Sequence, residues 1–338
     1  MIEIKGATVQ NALIKPKGGA PQLKQMPRPV PREGELLIRV ICTGLCRTDL
    51  LVASGAIAAA KDNIVLGHEF CGIVENVEGQ NSPLVGHMVA VDPTFTRDDG
   101  SDGFMGREID GCIATWAIVP AERVFPVLNW DGQPGDQPMS PREAAYLEPV
   151  AAAMGGVDTA VTVSDALRNN GHGVLVGHNR IATLTAMLLR DRNLKFDHIS
   201  HDKLRDLVRC NLAANRWHWM IETGLTDDLC ELAAEALKAR GTLILKSRHR
   251  ASASFPAIRW AEKQLNLAGR SRSGFPSAMR WLSENLADVR PLLGRSYRLS
   301  DWEAAFADAN AGEHGKTFIV SPGAEHLFPD LMTLRAEG

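Results

Sequence analysis

From residue 173 onward the hydrophobic pattern changes period. A short apolar run, Gly173-Val174-Leu175-Val176-Gly177, is followed by Ile181, Leu184, Met187 and Leu188 at helical spacing within residues 181–192, then by a second short run at 195–200. Strand, helix and strand in that order form a βαβ unit. Such a unit enters a parallel sheet, because the helix carries the chain back to where the first strand began. The alternation continues with a strand at 217–221, a helix at 227–239 closed by Gly241 as its C-cap, a strand at 242–246 and a strand at 264–268. Helices at 277–286 and 301–310 complete it. The expectation for this half is an α/β fold with a doubly wound parallel sheet.

The first 150 residues read otherwise. Strand-like runs at 12–14, 35–41, 72–77, 88–91 and 114–119 are punctuated by glycine and proline, and residues 16–31 read as a Pro- and Gly-rich connection. An alanine-rich helix at 142–158 then carries Glu148 near its middle. At 338 residues the chain has room for two domains. A formal net charge of −3 argues against nucleic acid or an anionic membrane as partner, since both select surplus clustered Lys and Arg. Residues 1–5 lack a signal-peptide pattern and no apolar run reaches the roughly 18 residues of a spanning helix, so a cytoplasmic protein is expected. There its six cysteines remain thiols, and Cys42, Cys71, Cys112, Cys210 and Cys230 are expected to fill the core.

Cys46 has different neighbours. It lies in Gly44-Leu45-Cys46-Arg47-Thr48-Asp49-Leu50, just after a strand. Gly67-His68-Glu69-Phe70-Cys71-Gly72 and Leu147-Glu148-Pro149 are two further runs of metal-ligand chemistry. A thiolate, an imidazole and a carboxylate brought together from three distant places suit a catalytic zinc with one open position, because structural zinc sites close with four protein ligands, mostly sulfur.

On these runs, together with Glu148-Pro149-Val150-Ala151-Ala152-Ala153, the chain resembles the zinc-dependent medium-chain dehydrogenase/reductases, the group of alcohol, sorbitol, threonine and glucose dehydrogenases. The resemblance extends to Gly315-Lys316-Thr317-Phe318-Ile319-Val320. It implies a GroES-like β-rich catalytic domain from residues 1–150 and 291–338, and an inserted Rossmann-type domain over 151–290. It implies Cys46, His68 and Glu148 as zinc ligands, and Glu69 as a neighbour able to ligate transiently. Asp49 would orient His68, Thr48 would relay the alcohol proton, and Arg47 would reach a cofactor pyrophosphate. Many relatives extend the relay with a histidine three residues after this threonine, where Leu51 stands here. A homodimer or homotetramer, formed by edge-to-edge pairing of Rossmann sheets, is implied as well.

Two departures from the family pattern matter. Residues 93–112 hold a single cysteine, Cys112, so the four-cysteine lobe that binds a structural zinc in many relatives is not expected. The dinucleotide fingerprint G-x-G-x-x-G/A reads Gly177-His178-Asn179-Arg180-Ile181-Ala182, with Asn179 where the middle glycine lets backbone approach the pyrophosphate. Gly177, Asn179, Arg180 and Ile181 remain the candidate turn. Where NAD enzymes carry an acidic residue for the ribose, Ser200 and His201 are followed by Lys203 and Arg205, which favours NADP slightly over NAD. Phe95, Phe104, Trp116 and Trp260 are candidate pocket aromatics that would serve as well in a core. The functional expectation is hydride transfer between NAD(P) and a secondary alcohol, polyol or hydroxylated metabolite. Asn179 keeps open a non-redox zinc lyase or isomerase with a decayed nucleotide site, and a non-catalytic binding protein on the same fold is the remaining alternative.

Overall fold

A computed structural model describes residues 8–77, 82–127, 139–166, 171–247, 254–269, 272–312 and 314–331. Residues 1–5, read above for a leader pattern, lie outside them. The chain divides into one unit of Met1–Glu148 with Phe275–Gly338 and a second of Pro149–Gly274. The return to the first unit thus comes at Phe275 and not near residue 291. Local packing accounts for this, since the Phe275 ring sits 5.5 Å from that of Phe125 and Arg290 pairs with the buried carboxylate of Glu143.

In the first unit a seven-stranded sheet is built around the strand Glu35–Gly44, nine of whose ten residues are buried. Burial on both faces explains why this strand reads as a continuous apolar run rather than an alternating one. On one side it pairs antiparallel with Glu69–Val74, which pairs in turn with Met88–Val91. On the other side it pairs with Lys316–Val320, from the far end of the chain, and beyond that lies Leu293–Arg298. Trp116–Pro120 pairs with its first half. The core beneath includes Ile38, Val40, Phe70, Val74, Val89 and Val119.

The second unit is a five-stranded, wholly parallel sheet in the order Lys195–Ile199, His172–Val176, Trp217–Glu222, Leu237–Leu245, Asn266–Gly269. The strand order reverses at His172–Val176, the place where open α/β sheets bind ligands at their carboxyl ends. Trp217, Met220, Leu229, Leu243 and Trp260 fill its core, so Trp260 is a core residue. No helix among the described residues is long and apolar enough to cross a membrane.

Several expectations need correction. Residues 16–31 are not simply a connection, since Gln22–Pro27 is a strand paired with Val9–Lys15; five of its six residues are exposed, which removed the apolar signal. Gly241 does not cap a helix. The helix Leu229–Ala236 ends earlier, and Gly241 lies inside the strand Leu237–Leu245 just after Arg240, whose φ of 63° bends that strand. The helix expected at 142–158 is two, Pro141–Ala145 and Leu147–Ala166, with Tyr146 as C-cap of the first. Cys42, Cys71, Cys112 and Cys230 are buried, but Cys210 is exposed at the end of the helix His201–Arg209.

Candidate active site

The strand Glu35–Gly44 delivers Leu45 and Cys46 directly into the helix Arg47–Ala53. The Leu45 backbone N–H donates to the Thr317 carbonyl at 2.8 Å, which pins this exit to the neighbouring strand. Cys46 is the N-cap, and Asp49 closes a capping box by accepting the Cys46 backbone N–H on Oδ2 at 2.8 Å. The other oxygen of the same carboxylate, Oδ1, lies 3.0 Å from Nδ1 of His68. One buried carboxylate therefore holds both the backbone of the thiol residue and the imidazole, and it leaves Nε2 of His68 as the free ring nitrogen for a metal.

His68 arrives by a sharp turn at Gly67, whose φ of 97° a side chain would resist. Burial favours the neutral ring, yet the negative charges of Asp49 and Cys46 push its pKa well above the ordinary imidazole value. The surroundings thus favour a positive charge at this point, which a divalent metal supplies. Cys46, His68 and Glu69 each place a ligand atom within 4.8 Å of the others. The donor set of sulfur, nitrogen and oxygen fits zinc.

Glu148 is not part of that group. It is buried in the first turn of the helix Leu147–Ala166. Thr48 lies beside Cys46, its hydroxyl 3.8 Å from the sulfur. Arg47 is exposed and donates to Asn310 at 3.1 Å. Phe104 packs edge-on against the His68 ring at 6.4 Å, whereas Trp116 is buried under the guanidinium of Arg28. Sequence reasoning gave no role to Lys316, which forms a buried ion pair with Glu69. Its signal was a lysine opening an otherwise buried apolar strand, Lys316–Val320.

At the carboxyl end of the parallel sheet, Gly177 adopts a left-handed φ of 127°, and a Cβ there would strike the Thr223 hydroxyl. Asn179 is the N-cap of the helix Arg180–Asp191. Its Oδ1 accepts the Ala182 N–H at 2.9 Å and its Nδ2 donates to the Thr223 carbonyl at 2.6 Å. An amide that a dinucleotide pyrophosphate could use is therefore taken by the protein itself. Side chains offer a different set of donors, because Arg180 Nη1 and His201 Nε2 are buried with no hydrogen-bond partner among the described residues. The turn thus fits a dinucleotide through side-chain donors, with Ile181 as the second residue of that helix. His178 and His198 stack nearby, ring centroids 5.0 Å apart.

The two cations expected to favour a 2′-phosphate fare differently. Arg205 is held by both oxygens of Asp228, at 2.6 and 3.1 Å, and by Asp202 at 2.8 Å. Asp228 is drawn down to about 2 by that guanidinium. Arg205 is thus neutralised within the protein, and Lys203 is left exposed beside Ser200, whose hydroxyl accepts the Lys203 N–H.

Residues 32–129 match the family profile described as alcohol dehydrogenase GroES-like domain. Over 112 residues, 29% of this chain and 33% of that protein, the chain is 32% identical to the starvation-sensing protein RspB of Escherichia coli K12. It is 24% identical to a sorbitol dehydrogenase of Halalkalibacterium halodurans over 91% of this chain and 98% of that one. Among solved structures, an alcohol dehydrogenase (rspB) from E. coli CFT073, complexed with NADH, superposes with a TM-score of 0.75 at 17% identity, over 93% of this chain and all of that one. That likeness shows the same fold, a GroES-like domain with a Rossmann-type parallel sheet. The Cys46 and His68-Glu69 motifs stand inside the matched domain, and these likenesses support a zinc-type medium-chain dehydrogenase/reductase.

Proposed function

We propose that this protein is an oxidoreductase that transfers a hydride between a nicotinamide dinucleotide and a secondary alcohol, a polyol or a related hydroxylated metabolite. The observation that carries the reading is the convergence of Cys46, His68 and Glu69 within 4.8 Å around the Asp49 clamp. The whole-length likeness to a sorbitol dehydrogenase supports the substrate class.

Cys46 and His68 would hold one zinc together with a carboxylate, with Glu148 as the proposed third ligand and Glu69 beside it. Bound there, zinc would supply Lewis acidity toward an alcohol or carbonyl oxygen, and the dinucleotide would supply the hydride acceptor or donor. Asp49 keeps the His68 ring in one tautomer and orientation, so its free nitrogen points one way. Thr48, whose hydroxyl both donates and accepts, takes the proton released when the alcohol is oxidised. With Leu51 apolar, the next proton acceptor is solvent or the cofactor ribose.

For the cofactor we propose recognition by Arg180 and His201 around the Gly177 turn. Discrimination between NADP and NAD is weak, because Lys203 is left to favour the 2′-phosphate without Arg205. Assembly as a homodimer or homotetramer is supported by the strand Asn266–Gly269, which forms the edge of the parallel sheet and exposes Leu267. A cytoplasmic location is part of this proposal, in keeping with cysteines that are all free among the described residues.

Calorimetric titration of the zinc-loaded protein with NAD, NADH, NADP and NADPH tests the reading. Micromolar or tighter binding of one pair is expected. Binding of none, in a protein that retains zinc, would replace hydride transfer with non-redox zinc chemistry.

A further inference from the structure

The ion pair between Lys316 and Glu69 crosses a strand. Glu69 opens one neighbour of Glu35–Gly44 and Lys316 opens the other, so Gly44 lies between them: in register it stands opposite Glu69 on one side and Phe318 on the other. Lys316 is two residues from Phe318 and therefore shares its face of the sheet. The lysine reaches over Gly44 because nothing is there. A Cβ on Gly44 would lie 2.8 Å from Lys316 Cε and 3.1 Å from Glu69 Oε2. The two side chains are 6% and 2% exposed, so water screens the pair little.

Of the grouped ligand residues, Cys46 and His68 are held by Asp49, whereas Glu69 has its carboxylate against an ammonium. Resting on the zinc reading above, we propose that Lys316 is a positioning residue that holds Glu69 out of the metal's coordination, and that Gly44 is the gap through which it does so. A carboxylate neutralised by a buried ammonium is a poor ligand for a dication, and the ammonium itself repels the metal. The site thereby keeps the open position that a substrate oxygen needs. With the pair broken, Glu69 swings onto the metal and closes the site, which tightens metal binding and excludes substrate.

The test compares wild type with Lys316→Met, Lys316→Arg and Gly44→Ala, each alone and with Glu69→Gln. Zinc affinity is read by competition with a chromophoric chelator, and coordination by the visible absorption of the cobalt(II)-substituted protein. Lys316→Met and Gly44→Ala should each tighten zinc about tenfold or more. Both should shift the cobalt spectrum in the same way, and adding Glu69→Gln should abolish that shift. Lys316→Arg keeps the charge and should keep the wild-type spectrum. Gly44→Ala carries the test if Lys316→Met does not fold, since Gly44 is not among the residues of left-handed φ and its new methyl meets only side-chain ends. Wild-type cobalt spectra in both Lys316→Met and Gly44→Ala, or shifts indifferent to Glu69→Gln, would overturn the proposal while leaving the zinc site intact. Zinc binding in wild type that is indifferent to Cys46→Ala would instead overturn the zinc reading, and this proposal with it.

Discussion

The two polar centres of the molecule are prepared in opposite ways. Around Cys46 the protein spends its hydrogen bonds on orientation: both oxygens of Asp49 hold ligand residues, and the ligand atoms are left facing one another. In the second unit the protein spends polar groups on itself, with the Asn179 side chain capping the helix that would receive a phosphate and Asp228 accepting from Nε and Nη2 of Arg205, while Arg180 Nη1 and His201 Nε2 stay unpaired among the described residues. A thiol residue and an imidazole held by one carboxylate, with Lys316 cancelling only Glu69 of the group, are ready for a cation. A turn whose amide is already bonded has to exchange one partner for another when its ligand arrives, and the affinity falls by what that exchange costs.

The sharpest way to break the contrast is Cys46→Ala. Zinc should no longer co-purify and turnover should drop about a thousandfold or more, while the thermal midpoint moves by less than about 4 °C, because the metal sits in a site already built from strand and cap. Unfolding of this variant at room temperature would mean that the metal holds the unit together. Asp49→Asn comes next. It weakens the cap and the hold on His68 at once, and metal affinity should fall about 10- to 100-fold. An unchanged chelator-competition curve would show that the clamp is incidental.

In the second unit the effects are smaller. Asn179→Gly frees the Ala182 amide and should tighten dinucleotide binding a few-fold by calorimetry, at a stability cost of a few tenths of a kcal/mol for the exchanged cap. Weaker binding would show that the asparagine is itself a ligand. The smallest effect concerns acid. Asp228 is held near 2 in the folded protein, below the roughly 3.9 of an unfolded chain, so its contribution is present above about pH 4 and fades as pH falls toward 2. Denaturation midpoints taken from pH 5 downward should therefore decline less steeply in Asp228→Asn than in wild type, and modestly, because the carboxylate is 36% exposed. Parallel declines would show that Arg205 is not what lowers Asp228.

The sequence reveals most where chemistry and pattern coincide. Cys46, His68 and Asp49 sit in short motifs whose residue types have few other uses together, and the parallel sheet is legible because buried strands and helices differ in period. It reveals least where a partner comes from far along the chain. Gln22–Pro27 shows no apolar alternation because only its backbone pairs, and Gly241 reads as a helix cap until Arg240 is seen in left-handed conformation. Arg205 reads as a free cation until Asp228, 23 residues later, closes on it. The resemblance implies Glu148 as a ligand and Glu69 as its neighbour, but the ion pair that holds Glu69 is not legible, because Lys316 is 247 residues away.

The strand Lys316–Val320, next to Glu35–Gly44, has a further consequence in the order of synthesis. When residues 149–274 have left the ribosome, all five strands of the parallel sheet exist, but the central strand of the other sheet still lacks the neighbour that will bind its end. Pairing across so long a separation is slow, and an unpaired edge is exposed until it happens. The Thr317 carbonyl that pins Leu45, one residue before the thiol, arrives with that last strand. On the proposed reading, a zinc ion captured in the final geometry would be a late event in the life of the chain, marking a molecule in which strands far apart in sequence have already met.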